Sequence, residues 1–460
     1  MSIIKAYVFP HPPLAIPEVG RGEENKIKKT LDALDKAVSE IARLAPETIV
    51  FITPHNVVYS DYFHISPGET ARGSLRQFSA PQTQFQTEYD TDLAAEIAKT
   101  AQQHQIAAGT EGEKSAELDH GVTVPMYFIN LRYKEYRTVR ISQSGMSTSD
   151  HYIFGKCIAE AVSKSQKKTV IIASGDLSHK LPGSHYGSTP EGAMFDKKIT
   201  GILSSADFLP LFGITEKQRS DAAECGYNSI MTLAGCFDRI MVKPKLCSYE
   251  GPFGVGYAVA EFSPAESDQS RNFLDIYNQA ALKKTEALRQ SENNYTALAR
   301  NSLEHKITHG DTLKLPENLP GEMTKNKAGV FVSLHKYGQL RGCIGTTVPT
   351  TANVALEIIQ NAVSAGLSDN RFEPVKISEL PYLTYKVDVL SSAEEIKDPK
   401  ELDVKRYGVI VSSRYRRGLL LPNLEGVDTV ADQLAIAKRK AGIPECSPVK
   451  LERFEVIRYE

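Results

Sequence analysis

Apolar positions in the first 262 residues alternate between two spacings. Short runs rich in β-branched residues occupy 3–9 (IIKAYVF), 48–53 (TIVFIT), 137–142 (RTVRIS), 169–174 (TVIIAS) and 251–262 (GPFGVGYAVAEF). Between them lie stretches with helical spacing. In 24–44, Ile27, Leu31, Leu34, Val38 and Ile41 recur every three or four residues, which puts them on one helix face. Residues 92–103 and 150–165 read the same way. TIVFIT and TVIIAS are apolar at nearly every position, as a strand covered on both faces must be. The pattern predicts an α/β domain around a largely buried central sheet over residues 1–262.

The periodicity lapses at 263–272 (SPAESDQSRN), which reads as a linker. A helical pattern follows at Phe273, Ile276, Tyr277, Ala280 and Ala281, so 263–289 is expected to be linker and helix. A second unit over 290–460 opens with Tyr295, Leu298, Ala299, Ser302 and Leu303 at helical spacing. Strands are expected at 329–334, 383–390 and 408–412. A last helix is expected at 429–441, stopped by Gly442 with Pro444 beyond it. This unit is of the α+β class.

Composition narrows the picture. The chain has 460 residues, enough for two or three domains. Hydrophobic residues make up 41%, enough for real cores. The net charge of −2 gives no general drive toward nucleic acid or an anionic membrane. No apolar run reaches 18 residues, so no membrane span is expected. Six cysteines without a C-x-x-C pair suit a reducing cytosol. Residues 1–13 lack the pattern of a signal peptide. A cytoplasmic chain is therefore expected.

Candidate chemistry collects where strands end. His11 follows the first strand in FPHPP, His55 follows TIVFIT in TPHN, and His179 follows TVIIAS in SGDLSH. In open α/β sheets these carboxyl ends line the ligand crevice. A single such histidine is more often a loop residue; three together point to a site. Two imidazoles and one carboxylate form the facial triad of non-haem iron sites. The carboxylate candidate is Glu224 in AECGY. Its neighbour Cys225 competes, because a thiolate binds iron, zinc or copper. Glu224 could instead cap a helix starting near Tyr227. His120, in LDHGV, and His179 are candidates for proton transfer. Asp176 could fix the tautomer of His179, or it could be a turn residue with Ser178.

The ordered set PHPP, TPHN, LDHGVTVPM, SGDLSH and ECGYNSI resembles the class III extradiol ring-cleavage dioxygenases and their relatives, the LigB- and Memo-type proteins, over about residues 1–262. The resemblance implies Fe(II) held by His11, His55 and Glu224, with zinc or copper as alternatives. It also implies an acid/base role for His179 and a pocket role for His120. In Memo proteins the cysteine of the matching ECG is taken as the ligand, which here is Cys225. The implied substrate is a small molecule, an aromatic one in the dioxygenases.

The second unit carries LRGCIG at 340–345 and DNRFEP at 369–374. The two glycines suggest a tight or left-handed backbone. Cys343 between them reads either as a buried hairpin cysteine or as a thiol activated by Arg341. Arg371 could bind carboxylate or phosphate, or cap the preceding helix. LRGCIG, NRFEPV, GVIVSSRYRRGLLLPN and KRKAGI resemble the AMMECR family over about 290–460. That resemblance implies a cleft around Arg341, Cys343 and Arg371 that takes substrate. Lys438, Arg439 and Lys440 stand where many members carry a cysteine. The whole chain resembles AmmeMemo-type fusions, which are associated with a radical S-adenosylmethionine enzyme as partner.

Three functions follow as expectations. The first is a metal-dependent, dioxygenase-like oxidoreductase. The second is a metal-dependent hydrolase or lyase that does not use oxygen. The third is a metal- or substrate-binding partner protein without catalysis of its own. An exposed edge strand would also offer a route to a homodimer.

Overall fold

The computed structural model describes residues 2–424 and 426–460. The chain forms two compact units, Met1–Tyr277 and Asn278–Glu460.

The first unit is built on a six-stranded sheet. In chain order its strands are β1 (Ile3–Phe9), β2 (Thr48–Thr53), β3 (Arg137–Ser142), β4 (Thr169–Ser174), β5 (Ile240–Glu250) and β6 (Tyr257–Ser267). Their order in space is β3-β2-β4-β1-β6-β5. The first four are mutually parallel, and β6 and β5 add antiparallel strands beside β1.

The helices that flank this sheet are α1 (Lys28–Leu44), α2 (Thr91–Gln103), α3 (His120–Asn130), α4 (Thr148–Ser165), α5 (Pro190–Ser205) and α6 (Tyr227–Gly235). Period-two alternation sorts the strand side chains into two layers. Val50, Ile52, Ile171 and Ala173 join the core under α2, α4, α5 and α6. Ile49, Phe51, Val170 and Ile172 join the core under α1 and α3. This explains why TIVFIT and TVIIAS are apolar throughout: each strand faces a helical layer on both sides.

Two expectations for this unit change. Residues 251–256 form a turn, and the closing strand runs Tyr257–Ser267. Five of the residues expected as linker are therefore strand, because 263–267 still pair with 240–243 of β5. Helix α7 (Phe273–Gln290) follows.

The second unit opens with α8 (Asn294–His309). It continues through β7 (Val330–Lys336), β8 (Gln339–Gly345), α9 (Val354–Leu367), β9 (Leu383–Leu390), β10 (Tyr407–Ser413), β11 (Arg416–Leu420), α10 (Val430–Lys440) and β12 (Lys450–Tyr459). The sheet is antiparallel in the order β8-β7-β9-β12-β10-β11. Leu298, Leu303, Ile358, Ala362, Val332 and Val387 form its main core.

LRGCIG is itself part of an edge strand, β8. The left-handed residues are Tyr337 and Gly338 in the turn before it. Gly342 serves a different purpose: a side chain there would run into the carbonyl of Ala365 in α9. Among the described residues, no helix is long and apolar enough to cross a membrane.

Candidate metal centre

Sheet register builds the site. Phe9 pairs with Ser174, and Thr53 pairs with Ser142. The four parallel strands therefore end level, and the residues that follow them leave from one edge. These are His11 after β1, His55 after β2, Gln143 after β3 and Asp176 after β4. A fifth segment arrives from the start of α6. Gly175 and Gly226 touch backbone to backbone, with no room for a side chain on Gly175. Gly226 N–H donates to Asp176 O at 3.0 Å, and Asp176 N–H points to Cys225 Sγ at 3.3 Å. Gln143 Nε2 donates to Cys225 O and to Ser229 Oγ, each at 2.8 Å.

Three donors converge. His55 Nε2 lies 2.9 Å from His11 Nε2, and Cys225 Sγ lies 3.6 Å from the same nitrogen. One ligand atom from each of the three falls within 4.8 Å of the others. His11 is buried, Cys225 half-buried and His55 exposed, so the group runs from the interior to the surface. The tautomer of His11 follows from its neighbours. Ser174 Oγ donates its one proton to Gly121 O at 2.5 Å. It must therefore accept from His11 Nδ1–H, 2.9 Å away. The Nε2 lone pair is left facing the other donors, the arrangement that outer hydrogen bonds impose on metal-binding histidines. Two imidazole nitrogens and a thiol fit a borderline or soft metal ion.

Two further histidines border this group. His120 stacks on His55 with ring centroids 4.0 Å apart and meets His11 edge-on at 5.2 Å. Phe78 meets His120 edge-on, with ring centroids 5.5 Å apart. Desolvation holds His11, His55, His120 and His179 below the ordinary imidazole range. At His11 the neighbouring imidazoles deepen the effect, and at His55 the proximity of His120 does. All four rings are thus neutral near pH 7, the form that binds a metal or accepts a proton. Burial raises the Cys225 thiol well above its usual value, and Asp176 adds to this. A metal must therefore displace a proton from Cys225 on binding.

The structure changes two expected roles. Glu224 is turned away from the donors. Its Oε2 accepts Tyr227 N–H at 2.6 Å at the start of α6, and its Oε1 accepts Arg219 Nε at 3.0 Å. It binds the first backbone N–H of α6 and pairs with the half-buried Arg219, and Cys225 stands where the carboxylate was expected. Asp176 does not orient His179. Its Oδ1 accepts the backbone N–H of His11 at 2.9 Å, and burial raises its carboxyl to about 7. His179 Nδ1 is buried, and Tyr186 lies 6.3 Å from its ring. Gln143 and Ser174 were missed. Gln143 carries the same signal as the histidines, a polar residue directly after a parallel strand.

In the second unit, Arg341, Cys343 and Arg371 gather around Phe372 and two carboxylates. Arg341 and Arg371 lie 6.0 and 5.5 Å from the Phe372 ring. Each arginine is already paired: Arg341 Nε and Nη2 donate to Glu379 at 3.1 and 2.9 Å, and Arg371 Nε and Nη2 donate to Asp369 at 2.9 and 2.7 Å. Arg341 is therefore neutralised by Glu379. Cys343 Sγ accepts from Ser333 Oγ at 3.1 Å. On the open side of β8, Cys343 N–H donates to Asp369 Oδ2 at 2.8 Å, and Cys343 O accepts from Arg371 Nη2 at 3.1 Å.

Comparison with known proteins agrees with this division. Residues 5–260 match the family described as the catalytic LigB subunit of aromatic ring-opening dioxygenase, and residues 296–460 match AMMECR1. Protein CA_C1420 of Clostridium acetobutylicum is 40% identical over the full length of both chains. A Thermotoga maritima protein is 50% identical over 171 residues, covering 37% of this chain and 98% of its own. A crystal structure of protein PH0010 from Pyrococcus horikoshii covers 36% of this chain and 88% of its own, at 32% identity and a TM-score of 0.34. The chain belongs to the LigB family and is a fusion of a LigB-like domain with an AMMECR domain.

Proposed function

We propose that the LigB-like domain is a metal-dependent oxidoreductase acting on a small molecule, with His11, His55 and Cys225 holding the ion. One observation carries the reading: three separate segments deliver His11 Nε2, His55 Nε2 and Cys225 Sγ to within 4.8 Å, while Ser174 fixes His11 with its lone pair inward. Membership of the LigB family supports an aromatic substrate and Fe(II). The thiol in place of a carboxylate fits zinc or copper as well. When bound, the ion would activate substrate or oxygen.

The chain's own residues supply the rest. His179, neutral and half-buried, takes a proton from substrate. His120 and Phe78 form an aromatic wall beside His55. Asp176 holds the His11 backbone in place. Six free cysteines fit a cytoplasmic setting. A radical S-adenosylmethionine enzyme as partner belongs to the same proposal: it would supply radical chemistry, and this chain would bind or process its substrate.

The thiol also favours a second reading, a hydrolase or lyase using the metal as a Lewis acid. Element-resolved metal analysis of anaerobically purified chain should give one ion per chain. It should fall to background in His11→Ala and His55→Ala; equal metal content in all three overturns the reading. Oxygen consumption coupled to turnover supports the oxidoreductase, and turnover under argon supports the hydrolase or lyase.

A further inference from the structure

After its exposed first residue, Arg137, β3 is buried throughout, yet one of the buried residues is a second arginine. Arg140 is only 1% exposed. Burying a guanidinium is costly unless its donors are all engaged, and here they reach two different segments. Nη1 donates to Glu117 O at 2.6 Å and Nη2 to Ser115 O at 3.0 Å. Nη1 also lies 3.7 Å from Asp119 Oδ2. These contacts hold the chain that runs into His120. On the other side, Nε donates to Ser66 Oγ at 2.6 Å. Ser66 Oγ in turn accepts from Asn56 Nδ2 at 3.2 Å, and the same nitrogen reaches Ser142 Oγ at 2.9 Å. Asn56 is the residue after His55.

A second link closes the circuit. Thr53 Oγ1 donates to Asp119 Oδ1 at 2.6 Å and accepts the His55 N–H at 3.2 Å. The loops bearing His55 and His120 are therefore tied to one guanidinium, and the two rings they carry stack at 4.0 Å. Cys225 is held by other contacts, through Asp176 and Gln143, and His11 stands between the two sets, because Ser174 meets both its ring and Gly121 O.

We infer that Arg140 is a positioning residue for the centre: it sets His55 for the metal and His120 beside it, without touching either ring. The inference rests on the reading that His11, His55 and Cys225 bind metal. It separates His55, which depends on Arg140, from Cys225, which does not.

Cobalt(II) titration of the full chain tests this, because the thiolate–cobalt charge-transfer band reports a cysteine ligand and its loss in Cys225→Ser assigns it to Cys225. In Arg140→Lys, cobalt affinity should fall 10–100-fold, the usual effect of losing an outer contact to a ligand, while the charge-transfer band persists at saturation. Ser66→Ala, which removes the bridge to Asn56 and leaves the guanidinium in place, should fall in the same direction if Arg140→Lys does not fold. Amide hydrogen exchange should rise in peptides spanning 54–66 and 111–120 in both variants, and stay unchanged around 224–229. Cobalt affinity within threefold of wild type in the folded variants, or exchange rising equally around Cys225, overturns the inference while leaving the metal reading intact. Wild-type chain that takes up no cobalt removes the metal reading and the inference with it.

Discussion

At the scale of single residues, adjacent side chains have opposite jobs. Glu224 and Cys225 are neighbours in sequence, but one binds the first N–H of a helix and the other faces two imidazoles. Glu224→Gln should keep full metal stoichiometry and lower the stability of the first unit by about 1 kcal/mol, the usual net worth of a hydrogen bond. Cys225→Ser should keep the fold and lose at least tenfold in metal affinity. Equilibrium dialysis alongside denaturant melts checks both, and metal loss in Glu224→Gln alone would reverse the assignment.

A second residue-scale prediction concerns acid. Burial would raise the Glu379 carboxyl, but Arg341, the Lys376 N–H and Lys336 outweigh it and hold it down at about 2. A lowered carboxyl stabilises the fold above the unfolded value of about 4.3 and loses that contribution as pH falls toward 2. The melting midpoint of the second unit should therefore drop between pH 5 and pH 2. Glu379→Gln should start lower at pH 7 and show a shallower drop over that window.

At the scale of elements, glycines decide how closely segments meet. The contact of Gly175 with Gly226 brings Asp176 against Cys225. Gly175→Ala should cost about 1–3 kcal/mol, as overpacking does, and should also weaken metal binding, because it drives the α6 loop away from β4. A melt and a metal titration on the same sample would show whether the two effects travel together.

The strands of the first unit were legible because their apolar runs are bounded by polar turns; β1, β2, β3 and β4 end where the pattern ends. The three strand-end histidines were legible for the same reason. The identity of the third donor was not, since Glu224 and Cys225 differ by one residue and the long-range contacts of Glu224 with Arg219 and of Gly226 with Gly175 decide which side chain faces inward. Gly342 was misread because a glycine needed for close approach looks the same in sequence as one needed for a turn. Arg140 left a signal that went unused: an arginine in the middle of a strand whose neighbours are all buried.

At the scale of the molecule, each unit has its own hydrophobic core. Separate cores predict two unfolding transitions in calorimetry. Saturating metal at about 100 times its dissociation constant should stabilise one of them by about 2.7 kcal/mol and leave the other where it is. Chelator should reverse the shift. If both transitions moved together, the metal would not be confined to the LigB-like domain.

The Asp369–Arg371 pair has a consequence at this scale too. β8 is an edge strand, and such an edge is a template on which another chain can build. At Cys343 both outward backbone groups are already taken, one by Asp369 and one by Arg371. With both groups occupied, another strand cannot pair with this edge at Cys343. Conserving the charge while shortening the reach, as in Arg371→Lys, would leave the fold intact and show itself first as turbidity in concentrated solution.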